Sequence, residues 1–327
     1  MRAIVCPDYG PPEILTVEKQ PDPTPGPGQF LVQHKAWGIS YVDVLMCAGG
    51  YQLKPPVPFT PGLEACGDVI ALGEGAEGFE VGDKVMTSGR PGLFAEMCAL
   101  DPGQVHRLPS TFDYAEGAAY RSCYMTAWNA LTHGGRLEAG EVLLVHGAAG
   151  GVGSAVVDLC RLEGVEVIAG AGSAAKCAFA AGLGAAHTID YSRENVPDRV
   201  LELTGGRGVD LVLDQLVGPD FTDNLRMLVP LGMIVSFNAL AGLPEKELFA
   251  EMRAHLGKSP AVRCFSWHSY DASPEARARV LGEVVERFAR ADGLAPAIHA
   301  TLPLADARTA HEMLDNREIL GKVVLKP

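Results

Sequence analysis

The chain has 327 residues, 47% hydrophobic and 20% charged, the balance of a globular protein long enough for two domains. A net charge of −13 with no basic run disfavours nucleic acid and acidic membranes as partners, and eight cysteines without Cys-x-x-Cys spacing argue against a zinc lobe or a disulfide framework. The opening residues, Met1-Arg-Ala-Ile-Val-Cys-Pro, lack the apolar core of a secretory signal and no segment has the length to cross a bilayer, so a cytoplasmic location is expected.

Residues 1–110 are rich in proline, glycine and short alternating apolar stretches such as Phe30-Leu-Val-Gln-His-Lys-Ala-Trp, the pattern of an irregular β-domain with many turns. Asp113-Tyr-Ala-Glu116 has the form of a helix cap with its reciprocal acid and predicts a helix to about residue 131. From Val142 strands and helices alternate. Strands are expected at 142–146, 165–169, 187–191, 209–213, 233–237 and 261–266, which predicts a parallel, doubly wound sheet. Ser273-Pro-Glu opens a further helix with apolar positions Val280, Leu281, Val284, Val285 and Phe288, and Gly321-Lys-Val-Val-Leu returns to β character.

The stretch Val142-Leu-Leu-Val-His-Gly-Ala-Ala-Gly-Gly-Val-Gly153 says most about function: an apolar strand enters a glycine-rich turn that opens a helix, the arrangement that holds a dinucleotide pyrophosphate. Gly150 admits the phosphate close to the backbone, Gly151 relieves the turn, and Gly153 lets the helix pack on the strand. Ala148 stands at the first fingerprint position. After the second strand an acid would grip a ribose 2′-hydroxyl, but the chain reads Ala169-Gly-Ala-Gly-Ser-Ala-Ala-Lys176. Ser173 and Lys176 suit a 2′-phosphate, which favours NADPH over NADH.

Pro25-Gly-Pro-Gly, Gly38-Ile-Ser-Tyr-Val-Asp43, Pro58-Phe-Thr-Pro-Gly-Leu-Glu-Ala-Cys-Gly67, Val81-Gly-Asp-Lys-Val85, the glycine loop and Gly182-Leu-Gly-Ala185 follow one another in order. In these motifs the chain resembles the medium-chain dehydrogenase/reductase superfamily, and within it the zinc-free quinone oxidoreductase branch. The resemblance implies an α/β protein: a GroES-like irregular β catalytic domain (1–119), a Rossmann NADPH-binding domain (120–256), and a C-terminal part (257–327) returning to the catalytic domain. Where zinc-dependent relatives carry metal ligands this chain has Ser40, Leu63 and Ser122, and Cys123 does not restore a ligand set. Asp43 and Glu64, as lone acids, are expected to be structural.

Without a metal, the expected chemistry is hydride delivery to carbon conjugated to a carbonyl, as in quinones and enones, with hydroxyl donors for the charge that moves onto oxygen. Ser40 and Tyr51 are the candidate donors, with Tyr41 less favoured. Leu45 and Cys47 replace a tyrosine and an arginine of close bacterial quinone reductases and make the pocket more apolar. For the cofactor, the resemblance implies Gly150, Gly151 and Val152 at the pyrophosphate, Ser173, Lys176, Tyr191 and Arg317 around the 2′-phosphate, and Thr126, Phe237 and Asn238 near the nicotinamide. His146 and His268 are expected to be structural.

Two alternatives stand beside this reading. An enoyl thioester reductase would need a basic entrance, for which Arg121, Arg253, Lys258 and Arg263 are candidates. A non-catalytic NADPH-binding structural or sensing protein would keep the fold without turnover. The strand at 261–266, as a sheet terminus with an unpaired edge, predicts a homodimer.

Overall fold

The computed structural model describes residues 1–270, 272–288 and 294–327, and the chain divides into two compact units, Met1–Ser122 with Val285–Pro327, and Cys123–Val284.

The first unit opens with an antiparallel pair, β1 (Arg2–Val5) and β2 (Thr16–Lys19). Next come β3 (Phe30–Ile39), α1 (Tyr41–Cys47), β4 (Glu64–Leu72), β5 (Lys84–Ser88), β6 (Met97–Leu100) and β7 (Val105–Arg107). β3 alternates Phe30, Val32 and His34 inward with Leu31, Gln33 and Lys35 outward, then buries Ala36–Ile39 on both faces. The core gathers Phe30, Trp37, Ile39, Val69, Val85, Leu100 and Val323, with the Trp37 indole N–H donating to the Ala95 carbonyl at 3.1 Å.

Helix α2 (Tyr114–Asn129) begins with the predicted reciprocal cap: the Glu116 N–H donates to Asp113 at 2.8 Å, and the Asp113 N–H donates to the Glu116 carboxylate at 2.7 Å. It gives way at Ala130 to a π-helical turn that ends at Arg136 in the left-handed region.

In the second unit the elements are β8 (Val142–His146), α3 (Gly151–Glu163), β9 (Glu166–Ala171), α4 (Ala174–Gly182), β10 (His187–Asp190), α5 (Val196–Leu203), β11 (Val209–Asp214), β12 (Leu228–Ser236), α6 (Leu248–Ala254), β13 (Ala261–Cys264) and α7 (Pro274–Phe288). Its six strands are all parallel in the order β10-β9-β8-β11-β12-β13. The order reverses between β8 and β11, and ligands of such sheets bind outside the strand ends at that switch point. Val280 and Val284 of α7 are buried. The side chains of Leu281 and Phe288 lie outside the described residues.

The chain returns to the first unit through β14 (Ile298–Pro303), α8 (Ala307–Asp315) and β15 (Lys322–Lys326), completing a seven-stranded sheet ordered β14-β15-β3-β4-β5-β7 with β6 on β3. The expected return at 257 is corrected to 285, because β13 pairs with β12 and so extends the parallel sheet past the expected boundary.

Candidate active site

Strand register builds the polar site of the first unit. Gly38 of β3 lies opposite Glu64 of β4, and Ile39 lies opposite Val323 of β15, so Ser40, Glu64 and Lys322 fall at the same end of three adjacent strands. Gly38 has no room for a side chain: a Cβ there meets the Ala118 carbonyl and comes within 2.9 Å of the Glu64 carboxylate.

Lys322 and Glu64 form an ion pair with side chains 4% and 1% exposed. Such a pair overcomes its desolvation only when the remaining hydrogen-bonding capacity is met. Here the Lys322 ammonium also donates to the Ser40 hydroxyl oxygen at 2.8 Å, Ser40 Oγ lies 3.1 Å from Glu64 Oε1, and Glu64 Oε2 accepts the Ser122 N–H at 2.8 Å. The Ser122 hydroxyl is 3.4 Å from that of Ser40. Ser40 and Ser122 are half-buried above the enclosed charges.

Ser40 also starts α1. Its N–H donates to Asp43 Oδ2 at 2.8 Å, and the Asp43 N–H returns to the Ser40 carbonyl. Asp43 is fully buried, and desolvation pushes its carboxyl up to about 7 against the opposing effects of the Ser40 N–H and the Lys322 charge. The expectation of lone structural acids thus misses a partner. Lys322 was the residue to find, and its signal was a lysine at the head of an apolar terminal strand.

Tyr51 is half-buried in the loop after α1. Burial raises the Tyr41 hydroxyl, Asp315 reinforces the rise, and Arg317 opposes it. Arg317 follows α8 in the left-handed conformation, φ 57°, with its N–H on the Leu314 carbonyl.

In the second unit the glycine loop has the expected form with one correction. The turn is made by Gly147, φ 69°, while Gly151 is the first residue of α3 and needs no left-handed conformation. Gly153 behaves as expected: a Cβ there strikes the Gly147 carbonyl and comes within 2.7 Å of Ala148 Cα. Gly150 is the helix cap and provides no side-chain acceptor, which leaves the first N–H groups of α3, including that of Val152, for an anion.

The loop is braced at the switch point. Gln215 donates to the Gly147 carbonyl at 3.2 Å, and the His146 ring is 3.0 Å from Asn224 Oδ1, whose amide nitrogen donates to buried Asp214 at 3.1 Å. His146 is therefore a brace, as expected of a lone histidine.

After β9, Ser173 caps α4 by accepting the Lys176 N–H at 3.3 Å, and its own hydroxyl hydrogen is left to donate. The Tyr191 ring lies against Gly172, where an added Cβ would come within 3.0 Å of the tyrosine hydroxyl. Ser173, Tyr191 and the helix turn bearing Lys176 thus converge at the ends of β9 and β10. Thr126 is half-buried on α2, and Phe237 and Asn238 are half-buried just beyond β12, with Asn238 accepting the Ala239 N–H at 2.9 Å. His268 is half-buried beside Trp267.

Of the four basic residues considered for a thioester entrance, Arg253 is exposed on α6 and the other three are engaged elsewhere. Arg121 is 4% exposed with a guanidinium nitrogen 3.2 Å from the His106 ring, Arg263 donates to the His133 carbonyl at 2.8 Å, and Lys258 donates to the Arg226 carbonyl at 2.9 Å.

Residues 26–110 match the alcohol dehydrogenase GroES-like domain, and residues 151–281 match the zinc-binding dehydrogenase family. A GroES-like unit joined to a parallel-sheet nucleotide-binding unit defines a two-domain oxidoreductase. The chain is 31% identical to the synaptic vesicle membrane protein VAT-1 homolog of Rattus norvegicus, over all of this chain and 84% of that protein. It is 29% identical to the quinone oxidoreductase of Sus scrofa, over 99% of this chain and 97% of that one. The Escherichia coli quinone oxidoreductase, solved in complex with NADPH, superposes with a TM-score of 0.88 at 26% identity, covering 100% of both chains. The chain belongs to the medium-chain dehydrogenase/reductase family, in its zinc-free quinone oxidoreductase branch. Among the described residues no helix is long and apolar enough to cross a membrane.

Proposed function

We propose that this chain is an NADPH-dependent reductase that delivers hydride to a quinone or an α,β-unsaturated carbonyl without zinc. The end of β9 carries the reading. Glycine and serine stand where an acid would select the unphosphorylated cofactor, and Ser173, Tyr191 and Lys176 offer a 2′-phosphate hydroxyls and a cation. The complex of the E. coli relative with NADPH supports the same choice.

The residues fit this cofactor. The backbone of Gly150, Gly151 and Val152 would take the pyrophosphate, and Thr126, Phe237 and Asn238 would position the nicotinamide ring. When bound, reduced nicotinamide supplies the hydride. The chain's own task is to hold the substrate and donate hydrogen bonds to the oxygen on which charge develops, a role given to Ser40 and Tyr51. Hydroxyls next to an ammonium suit that task, whereas Ser40, Leu63 and Ser122 lack the thiolate and imidazole donors that zinc prefers.

NADPH oxidation followed in parallel with 1,4-benzoquinone, 9,10-phenanthrenequinone and crotonyl-CoA tests the reading. Quinone turnover is expected. Thioester turnover alone would make the chain an enoyl reductase, and NADPH retention without oxidation would make it a non-catalytic binder. Loss of turnover on chelation with recovery on adding Zn²⁺ would overturn the zinc-independent mechanism. The exposed edge of β13 supports a homodimer, which a monomeric mass by light scattering would exclude.

A further inference from the structure

We infer that Lys322 is the positioning residue of the oxyanion site, orienting and polarising the Ser40 hydroxyl so that it donates to a substrate oxygen as negative charge accumulates there. This rests on the proposed reductase reading and deepens it at the same site.

Three observations support it. First, the ammonium reaches the hydroxyl directly, with Lys322 Nζ 2.8 Å from Ser40 Oγ. An accepted charge-assisted hydrogen bond occupies a lone pair of the hydroxyl oxygen and strengthens its O–H as a donor. Second, the hydrogen has a weak resting place: Ser40 Oγ is 3.1 Å from Glu64 Oε1, an oxygen already engaged by Lys322. A substrate oxygen gaining charge competes well for that hydrogen. Third, the arrangement is graded in depth. Lys322 and Glu64 are buried while Ser40 and Ser122 are half-buried, so the buried positive charge acts on the half-buried Ser40 hydroxyl that it contacts.

The roles divide accordingly. Glu64 fixes the ammonium and is itself pinned by the Ser122 N–H at 2.8 Å. Lys322 keeps its proton throughout, and only the Ser40 hydrogen bond changes acceptor. Among the described residues, Glu64 and Asp43 are charged groups that act on the Lys322 ammonium. A buried ion pair is by itself weak evidence of a stabilising role, since apolar residues of equal volume often serve better. The contact to a half-buried hydroxyl is what an apolar replacement would lose.

The test uses the full chain and 4-nitrophenol, whose absorbance separates phenol from phenolate. Binding to the wild type is expected to favour phenolate by about tenfold over free solution. Because Lys322→Met alone strands a buried carboxylate, the charge-balanced Lys322→Met/Glu64→Gln double variant is the working comparison. It should lose the phenolate preference, as should Ser40→Ala, while Ser40→Thr retains it. In turnover with NADPH and a quinone, the double variant should lose about 100-fold in kcat with the NADPH KM little changed. Adding Ser40→Ala should cost nothing further, because both changes act on one hydrogen bond.

A phenolate preference unchanged in the charge-balanced variant, absence of 4-nitrophenol binding to the wild type, or additive losses on adding Ser40→Ala would overturn the assignment. An inactive wild type that still favours phenolate through Lys322 would sink the reductase reading and leave the role of Lys322 standing.

Discussion

The two units prepare for negative charge in opposite ways. In the second unit the charge would be a ligand's, and what the chain offers it is backbone: a glycine turn, a helix start without a side-chain cap and a strand end free of acids, all within residues 147–176. In the first unit the charges are the protein's own and already paired, Lys322 with Glu64, supplied by strands far apart in sequence and brought together by register. A backbone site is nearly complete in its local sequence. A buried side-chain site exists only once the sheet has closed, so each change within it should disturb stability and function together.

Breaking the pair gives the largest expected effect. Lys322→Met leaves Glu64 buried without its cation and should cost about 3–5 kcal/mol in the first unit, read by urea unfolding, with much of the loss restored by adding Glu64→Gln. In the second unit the matching break is Gly153→Val. Its side chain must displace the Gly147 carbonyl and Ala148 backbone, costing about 1–3 kcal/mol, and NADPH retention should fall while the Ser40 cluster is untouched.

Titration sharpens the same contrast. Burial pushes His34, His106 and His311 of the first unit down to about 4, with Arg121 reinforcing the effect at His106. The unfolded chain takes up these protons from about pH 6.5 and the folded unit resists until about pH 4, so these residues withdraw stability as pH falls through that window. Asp43 works in the opposite direction. Its carboxyl, raised to about 7, holds a proton that the unfolded chain has already lost, so its contribution is greatest in acid and disappears as pH rises from about 4 to about 7. Asp43→Asn removes only that component. Relative to wild type, its urea midpoint should rise progressively across this window and level off above pH 7. A constant difference would show that Asp43 does not titrate as its burial requires.

The legibility of the fold follows the same division. The Asp113 and Glu116 cap, the Gly153 contact and the run of parallel strands were readable because each is set by neighbours within a few residues or by a repeating period. The return of the chain was placed too early because nothing in residues 257–266 shows that β13 pairs with β12 rather than joining the other sheet. Gly147 was passed over for Gly151 because composition does not say which glycine of a cluster adopts positive φ. Ser40 is singled out by resemblance, and the structure places it beside Lys322 and Glu64. Lys322 is not singled out, since its meaning depends on the register that sets β15 beside β3, a pairing between residues almost the whole chain apart.

The smallest expected effects separate two jobs that the end of β9 performs at once. Ser173 caps α4 through its oxygen and Lys176 contributes its backbone N–H to that cap; in the proposed reading the Ser173 hydroxyl hydrogen and the Lys176 ammonium would meet the 2′-phosphate. Lys176→Ala preserves the cap, because alanine has the same N–H, and should raise the KM for NADPH about tenfold with little change for NADH. Ser173→Ala removes the cap and should cost about 1 kcal/mol of stability. Because a loosened α4 disturbs the binding of either cofactor, it should raise the KM for both, more for NADPH. If Lys176→Ala raised both KM values equally, its ammonium would not be meeting a 2′-phosphate, and cofactor choice in the second unit would have to come from a residue other than this lysine.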